Sequence, residues 1–123
     1  MISVGTDILR VQRIEAVLER QGDKFVQRIL TPDEIREYEC SRYPARLLAK
    51  RFAAKEAVAK CLGTGIGRGV SWQDIAIVHD DSGAPGVQLS GGAKVVAEKR
   101  GAGSVAISLS DEDEYVVAFA VLS

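Results

Sequence analysis

One stretch of the chain concentrates the side chains that can do chemistry. Between Arg42 and Lys60 stand six basic residues, Arg42, Arg46, Lys50, Arg51, Lys55 and Lys60, and one acid, Glu56. A local positive field of this kind suits an anionic ligand. A solvated helix face carries such a charge run equally well. At about 100° per residue, a helix over residues 45–62 places Phe52, Glu56, Ala59, Lys60 and Gly63 in one stripe. Ala53, Ala54, Ala57, Val58 and Ala59 keep the surface around Glu56 low, so a ligand or another element can come close. Glu56 then has two readings. It pairs with Lys60 at i,i+4, worth roughly 0.2–0.5 kcal/mol. Or it ligates a hard divalent cation such as Mg²⁺, which takes one or two carboxylates plus substrate phosphates, with nearby lysines on the phosphate oxygens.

Asp7 follows Gly5-Thr6 near the end of an apolar strand, where a carboxylate buried without partners is costly. It is either a turn residue or cap for the segment from Leu9, or a second carboxylate beside Glu56. The segment 63–69 carries Gly63, Gly65, Gly67 and Gly69 and must be a loop. It lacks the Gly-Lys-Ser/Thr ending of a nucleotide-binding P-loop, though its backbone N–H groups can still meet phosphate. His79, the single histidine, ends a strand beside Asp80 and reads as surface. Neither Cys40 nor Cys61 stands at a motif spacing from it, so thiol catalysis is not supported. No Gly-x-Ser-x-Gly elbow is present. Trp72 and Phe119 read as core.

These residues need elements to hold them. Residues 1–8 read as a strand. Residues 10–21 carry Val11, Ile14, Val17 and Leu18 at helical spacing and end at Gly22. A short helix is expected over 23–30. Thr31-Pro32-Asp33-Glu34 is a helix start with a capping box, and that helix runs to about Cys40. The longest helix spans 45–62. Strands are expected over 71–79, 86–90, 104–110 and 115–122, with a helix over 91–100. Hairpins join most of the strands, so the fold class is α+β, a largely antiparallel sheet packed with helices. The last strand, Tyr115 to Leu122, is eight consecutive apolar residues. A strand with one wet face alternates, and this one does not, so its second face needs cover from an assembly or from loops.

The 123 residues and 13.2 kDa match a single domain spanning 1–123. Apolar residues at 46% exclude a disordered chain. A net charge of −1, from 16 basic and 17 acidic residues, gives no reason to expect nucleic acid as a partner. No apolar run approaches a membrane span, and no secretory signal is visible. Two cysteines make no disulfide scaffold, so a reducing, cytoplasmic compartment is expected.

Three stretches together resemble one family. Gly5-Thr6-Asp7-Ile8 is similar to the opening of bacterial holo-[acyl-carrier-protein] synthases, which are 4′-phosphopantetheinyl transferases. Arg51-Phe52-Ala53-Ala54-Lys55-Glu56-Ala57-Val58-Ala59-Lys60, with Gly63-Thr64-Gly65-Ile66, resembles their signature helix and loop. Ile107-Ser108-Leu109-Ser110-Asp111, with Tyr115 and Ala118, resembles their C-terminal hairpin. Ser71–Ile75 and Asp81–Pro85 fall where the family has a strand and a turn, so the resemblance runs the length of the chain in order.

The resemblance implies transfer of 4′-phosphopantetheine from coenzyme A to a serine of apo acyl carrier protein, releasing adenosine 3′,5′-bisphosphate. It implies Mg²⁺ held by Asp7 and Glu56 at the coenzyme A pyrophosphate, with Lys60 at the phosphates and Gly63 along the cofactor. Arg51, Lys55, Asp111 and the turn Ser82-Gly83-Ala84-Pro85 match positions around the cofactor. Arg13, Arg20 and Lys24 match those that face the acidic carrier protein. A homotrimer is implied, with sites at subunit interfaces and with Asp7 and Glu56 drawn from different chains. Asp111 stands where many members carry histidine and others aspartate, so on sequence alone a cationic phosphate contact is lost. Ala84 replaces a common lysine or arginine. Either Glu56 or a metal-bound water takes the serine proton. The alternatives to a transferase are a non-catalytic module that binds acyl carrier protein or coenzyme A, and a hydrolase of the coenzyme A pyrophosphate.

Overall fold

The Thr31 hydroxyl accepts the backbone N–H of Glu34 at 3.4 Å, and the Glu34 carboxylate accepts that of Thr31 at 2.8 Å. That capping box starts one of five helices in the computed structural model, which describes residues 1–123. The chain runs β1 (Ser3–Arg10), α1 (Val11–Gln21), α2 (Asp23–Ile29), α3 (Pro32–Cys40) and α4 (Pro44–Leu62). After the glycine loop come a 3₁₀ turn (Trp72–Asp74), β2 (Ile75–His79), β3 (Pro85–Leu89), α5 (Gly91–Lys99), β4 (Val105–Glu112) and β5 (Tyr115–Leu122). The α+β expectation holds. No helix is long and apolar enough to cross a membrane.

The strands form two antiparallel sheets: β1-β5-β4, with β5 central, and the hairpin β2-β3. The α4 helix lies across one face of the larger sheet. Its alanines, leucines and Cys61 pack on Val116, Ala118, Ala120 and Leu122 of β5, all fully buried. The approach is close enough to dictate a glycine. A Cβ on Gly5 would stand 2.1 Å from the Ala57 carbonyl oxygen and 2.7 Å from the Cys61 nitrogen. Gly63 ends α4 at φ 85°, in the left-handed region that glycine enters without strain.

Three differences from the sequence reading have physical causes. Residues 71–79 are not all strand: the Asp74 carboxylate accepts the Ser71 N–H at 3.1 Å and winds the first residues into a 3₁₀ turn. β1 begins later and runs to Arg10, so Asp7 lies inside it, not at its end. Phe119 is not core. It is 44% exposed beside Val117, because burial alternates strictly along β5 although hydrophobicity does not. Val4 and Ile8 of β1 are exposed as well, on the outward side of their strand.

Candidate active site

On β1, Gly5, Asp7 and Leu9 face α4 while Val4 and Ile8 face away, so strand alternation sets the Asp7 carboxylate against the helix. Lys60, in the last turn of α4, closes the gap. Its ammonium lies 3.1 Å from Asp7 Oδ1 and donates to the Thr6 carbonyl at 2.8 Å. Glu56 is one turn earlier on the helix and half-buried. Its carboxyl is held above the usual carboxylate range, first by burial and then by the negative charge of Asp7, while Lys60 pulls the other way. Asp7 and Glu56 therefore share one locality within a single chain. This corrects the expectation that they come from different chains.

Two neighbouring carboxylates beside one lysine are a donor set for a hard divalent cation. No cluster of three or more ligating side chains exists in the chain. Two carboxylates, with the remaining positions left to phosphate oxygens and water, are what Mg²⁺ accepts. The residues fit the metal that the resemblance implies.

A second feature occupies the N-terminal half of α4. Arg46, Lys50 and Arg51 line a cavity of about 370 Å³ with Gly83 and Pro85 of the β2–β3 turn and Asp111 of β4. The Arg51 side chain is almost wholly buried, its nearest charge is Glu37 at 3.6 Å, and its buried Nε has no partner. Arg51 thus adds a largely buried guanidinium to the lining of the cavity. Asp111 is not an unpaired acid: Arg46 reaches it at 3.1 Å and Lys50 at 3.5 Å. The neighbouring depression formed by Ser110–Tyr115 is walled by Asp111, Glu112, Asp113 and Glu114, so an anion is repelled there.

Two assigned cofactor residues are not brought to either feature. Lys55 points inward with no exposed surface. Its ammonium is held by Glu34 Oε1 and the Ile29 carbonyl, both at 2.6 Å, and by the Trp72 carbonyl at 3.2 Å. Glu34 completes the knot by accepting the Ile77 N–H at 2.8 Å. Lys55 therefore cannot reach a phosphate and serves as an internal cross-link. The Ser82 hydroxyl turns back to donate to Asp80 Oδ1 at 2.6 Å and leaves the cavity to Gly83 and Pro85. Gly63 lies exposed at the end of α4. Arg13, Arg20 and Lys24 are exposed on α1 and at the start of α2. The sequence reading missed Arg46, Lys50 and His79 as cavity residues. Their only early signal was membership of the basic run, and for His79 its place before a turn.

The sequence model of the 4′-phosphopantetheinyl transferase superfamily matches residues 3–120. A holo-[acyl-carrier-protein] synthase of Shewanella denitrificans is 49% identical over 122 residues, 99% of this chain and 97% of that one. The crystal structure of the holo-[acyl-carrier-protein] synthase from Neisseria meningitidis superposes with a TM-score of 0.94 at 43% identity, covering 100% of this chain and 99% of that one. The Helicobacter pylori synthase in complex with coenzyme A gives 0.85 at 33% identity, covering 98% and 99%. With the family match and these relatives spanning nearly the whole length on both sides, the chain belongs to the 4′-phosphopantetheinyl transferase superfamily.

Proposed function

We infer that the chain is a holo-[acyl-carrier-protein] synthase. It transfers 4′-phosphopantetheine from coenzyme A to a serine of apo acyl carrier protein and releases adenosine 3′,5′-bisphosphate. The observation that carries this reading is the near-full-length likeness to synthases, one of them solved with coenzyme A. The convergence of Asp7, Glu56 and Lys60 on one locality agrees with it.

In the reaction the serine hydroxyl gives its proton to Glu56 or to water, its oxygen bonds to the phosphorus that carries pantetheine, and the bond from that phosphorus to the bridging pyrophosphate oxygen breaks. Asp7 and Glu56 would hold Mg²⁺, which when bound supplies positive charge for the pyrophosphate. Lys60 stands beside them and offers its ammonium to the oxygens on which charge develops. A donor aimed at such charge is typically worth about 10²–10³ in kcat. Arg46, Lys50 and Arg51 hold the anionic nucleotide end of coenzyme A in the cavity, with Gly83 and Pro85 against it.

The cavity and the carboxylate pair lie on different sides of α4. From Arg46 and Lys50 to Glu56 the helix turns by roughly 100°, at 3.6 residues per turn. Asp7 on β1 and Asp111 on β4 sit at opposite edges of the sheet with β5 between. One coenzyme A molecule that uses both features is best served by the cavity of one subunit and the carboxylates of the next. The uncovered outer face of β1 and β5 gives the homotrimer its surface. Arg13, Arg20 and Lys24 meet the acidic carrier protein. The reading places the enzyme in the reducing cytoplasm.

Mass spectrometry of apo carrier protein incubated with coenzyme A, Mg²⁺ and the purified chain tests the reading. A phosphopantetheine adduct on the carrier serine is expected. Coenzyme A cleavage without an adduct would show a hydrolase, and binding without turnover a non-catalytic module.

A further inference from the structure

We propose that Asp111 is a positioning residue. It gathers Arg46 and Lys50 into one cationic wall of the cavity, so that an acid strengthens the binding of an anion. The inference rests on the reading of this cavity as the site for the anionic end of coenzyme A.

Charge alone argues the other way. A carboxylate on the wall of an anion site repels the ligand, and its removal should tighten binding. The geometry assigns it a different part. Arg46 and Lys50 are one turn apart on α4, so their stems leave the same side of the helix. Both are long side chains with many rotamers, and fixing each in one orientation costs about 1–2 kcal/mol of entropy. Asp111 meets both from β4 across the cavity, Oδ2 to Arg46 at 3.1 Å and Oδ1 to Lys50 at 3.5 Å. Arg46 also donates to the Asp113 carbonyl, so the hairpin end holds it at two points. The three partners are each about one-third exposed, which leaves cationic N–H groups free to face a ligand. Arg51 completes the wall from within, its orphaned Nε already buried. Cations ordered in advance lose less entropy when the ligand arrives.

The test is the full-length enzyme with Asp111→Ala and Asp111→Asn, read both by equilibrium binding of coenzyme A and by transfer kinetics. In Asp111→Ala the Kd and KM for coenzyme A should rise roughly fivefold, the scale on which partly exposed ion pairs act. The KM for carrier protein should move less than twofold. Asp111→Asn keeps an acceptor for Arg46 and should recover part of the loss. In an Arg46→Ala/Lys50→Ala background the effect of Asp111→Ala should vanish, since nothing is left to position. Unchanged or tighter coenzyme A binding in Asp111→Ala overturns the proposal and restores simple repulsion. A loss that persists in the double-variant background, or one that raises both KM values together, overturns it as well. Failure of the activity reading looks different: the wild type then binds coenzyme A without transferring from it, and the Kd comparison still decides the role of Asp111. A wild type that binds no coenzyme A removes both.

Discussion

Asp7 and Glu56 are like charges placed side by side, an arrangement that costs stability unless a cation compensates. Lys60 provides part of that compensation. Asp7→Asn and Glu56→Gln should therefore lose most transfer activity, on the order of 10²-fold, while circular dichroism shows an intact fold. Near-normal Mg²⁺-dependent turnover in both would remove the metal assignment. Lys55 should behave in the opposite manner. Breaking a fully buried ion pair from one side typically costs about 3–5 kcal/mol, so Lys55→Met should lower the denaturant midpoint sharply. Replacing both partners, Lys55→Met with Glu34→Leu, should recover only part of that loss: no buried charge is left alone, but the Ile77 N–H and the Ile29 carbonyl lose their partners. A single variant as stable as wild type would contradict the cross-link. The Cys61 thiol is pushed up to about 11 by burial, whereas Cys40 is exposed. Iodoacetamide at neutral pH should label Cys40 alone in the native protein, and both cysteines in denaturant, as intact mass would report.

At the scale of elements, the packing of α4 on β1 sets how Asp7, Glu56 and Lys60 meet. Gly5 is the point of contact. An added methyl at 2.1 Å from a carbonyl oxygen cannot be accommodated by a side-chain movement, because the neighbour is backbone. Gly5→Ala must push β1 off α4, carry Asp7 away from Lys60, and so lower both melting temperature and activity. An active, equally stable Gly5→Ala protein would show that the contact is loose. The N-cap of α3 is a milder case: Thr31→Ala should cost about 1 kcal/mol and leave the kinetics untouched, since the site residues lie on other elements.

For the whole molecule, the outward side of β1 and β5 is the surface proposed for the assembly. Val4, Ile8, Val117 and Phe119 are exposed together on neighbouring strands, and large exposed apolar patches mark interfaces. Val117→Glu should dissociate the oligomer in sedimentation while preserving the fold. If sites span subunits, transfer should fall with it. Ala118→Glu should not act in the same way, because Ala118 is fully buried against α4; it should unfold the chain. A wild type that sediments as a fully active monomer would end the assembly proposal. Exposed Arg13, Arg20 and Lys24 form the surface proposed for the carrier protein, so Arg13→Glu should raise the KM for carrier protein more than that for coenzyme A. Its effect should shrink as salt screens charges beyond about 8 Å.

Much of this was legible in the residues. Thr31-Pro32-Asp33-Glu34 announced a helix and formed the expected capping box, because a capping box is local chemistry. Gly22 and Gly63 ended helices where they stood. The alanine-rich surface around Glu56 did admit another element, which was β1. Local periodicity says nothing about which side of a uniformly apolar strand faces inward, so Phe119, read as core, lies outward while Ala118 beside it is buried. Charge type says nothing about direction either. Lys55 and Lys60 share one helix and one sequence context, yet they stand roughly 140° apart around its axis, so Lys55 goes to Glu34 in the core and Lys60 to Asp7. The pairing of Asp111 with Arg46 and Lys50 joins residues 65 and 61 positions apart in the chain. Only the packing of α4 on the sheet β1-β5-β4 brings them within reach, because an ion pair forms where the fold delivers both charges and not where the sequence places either.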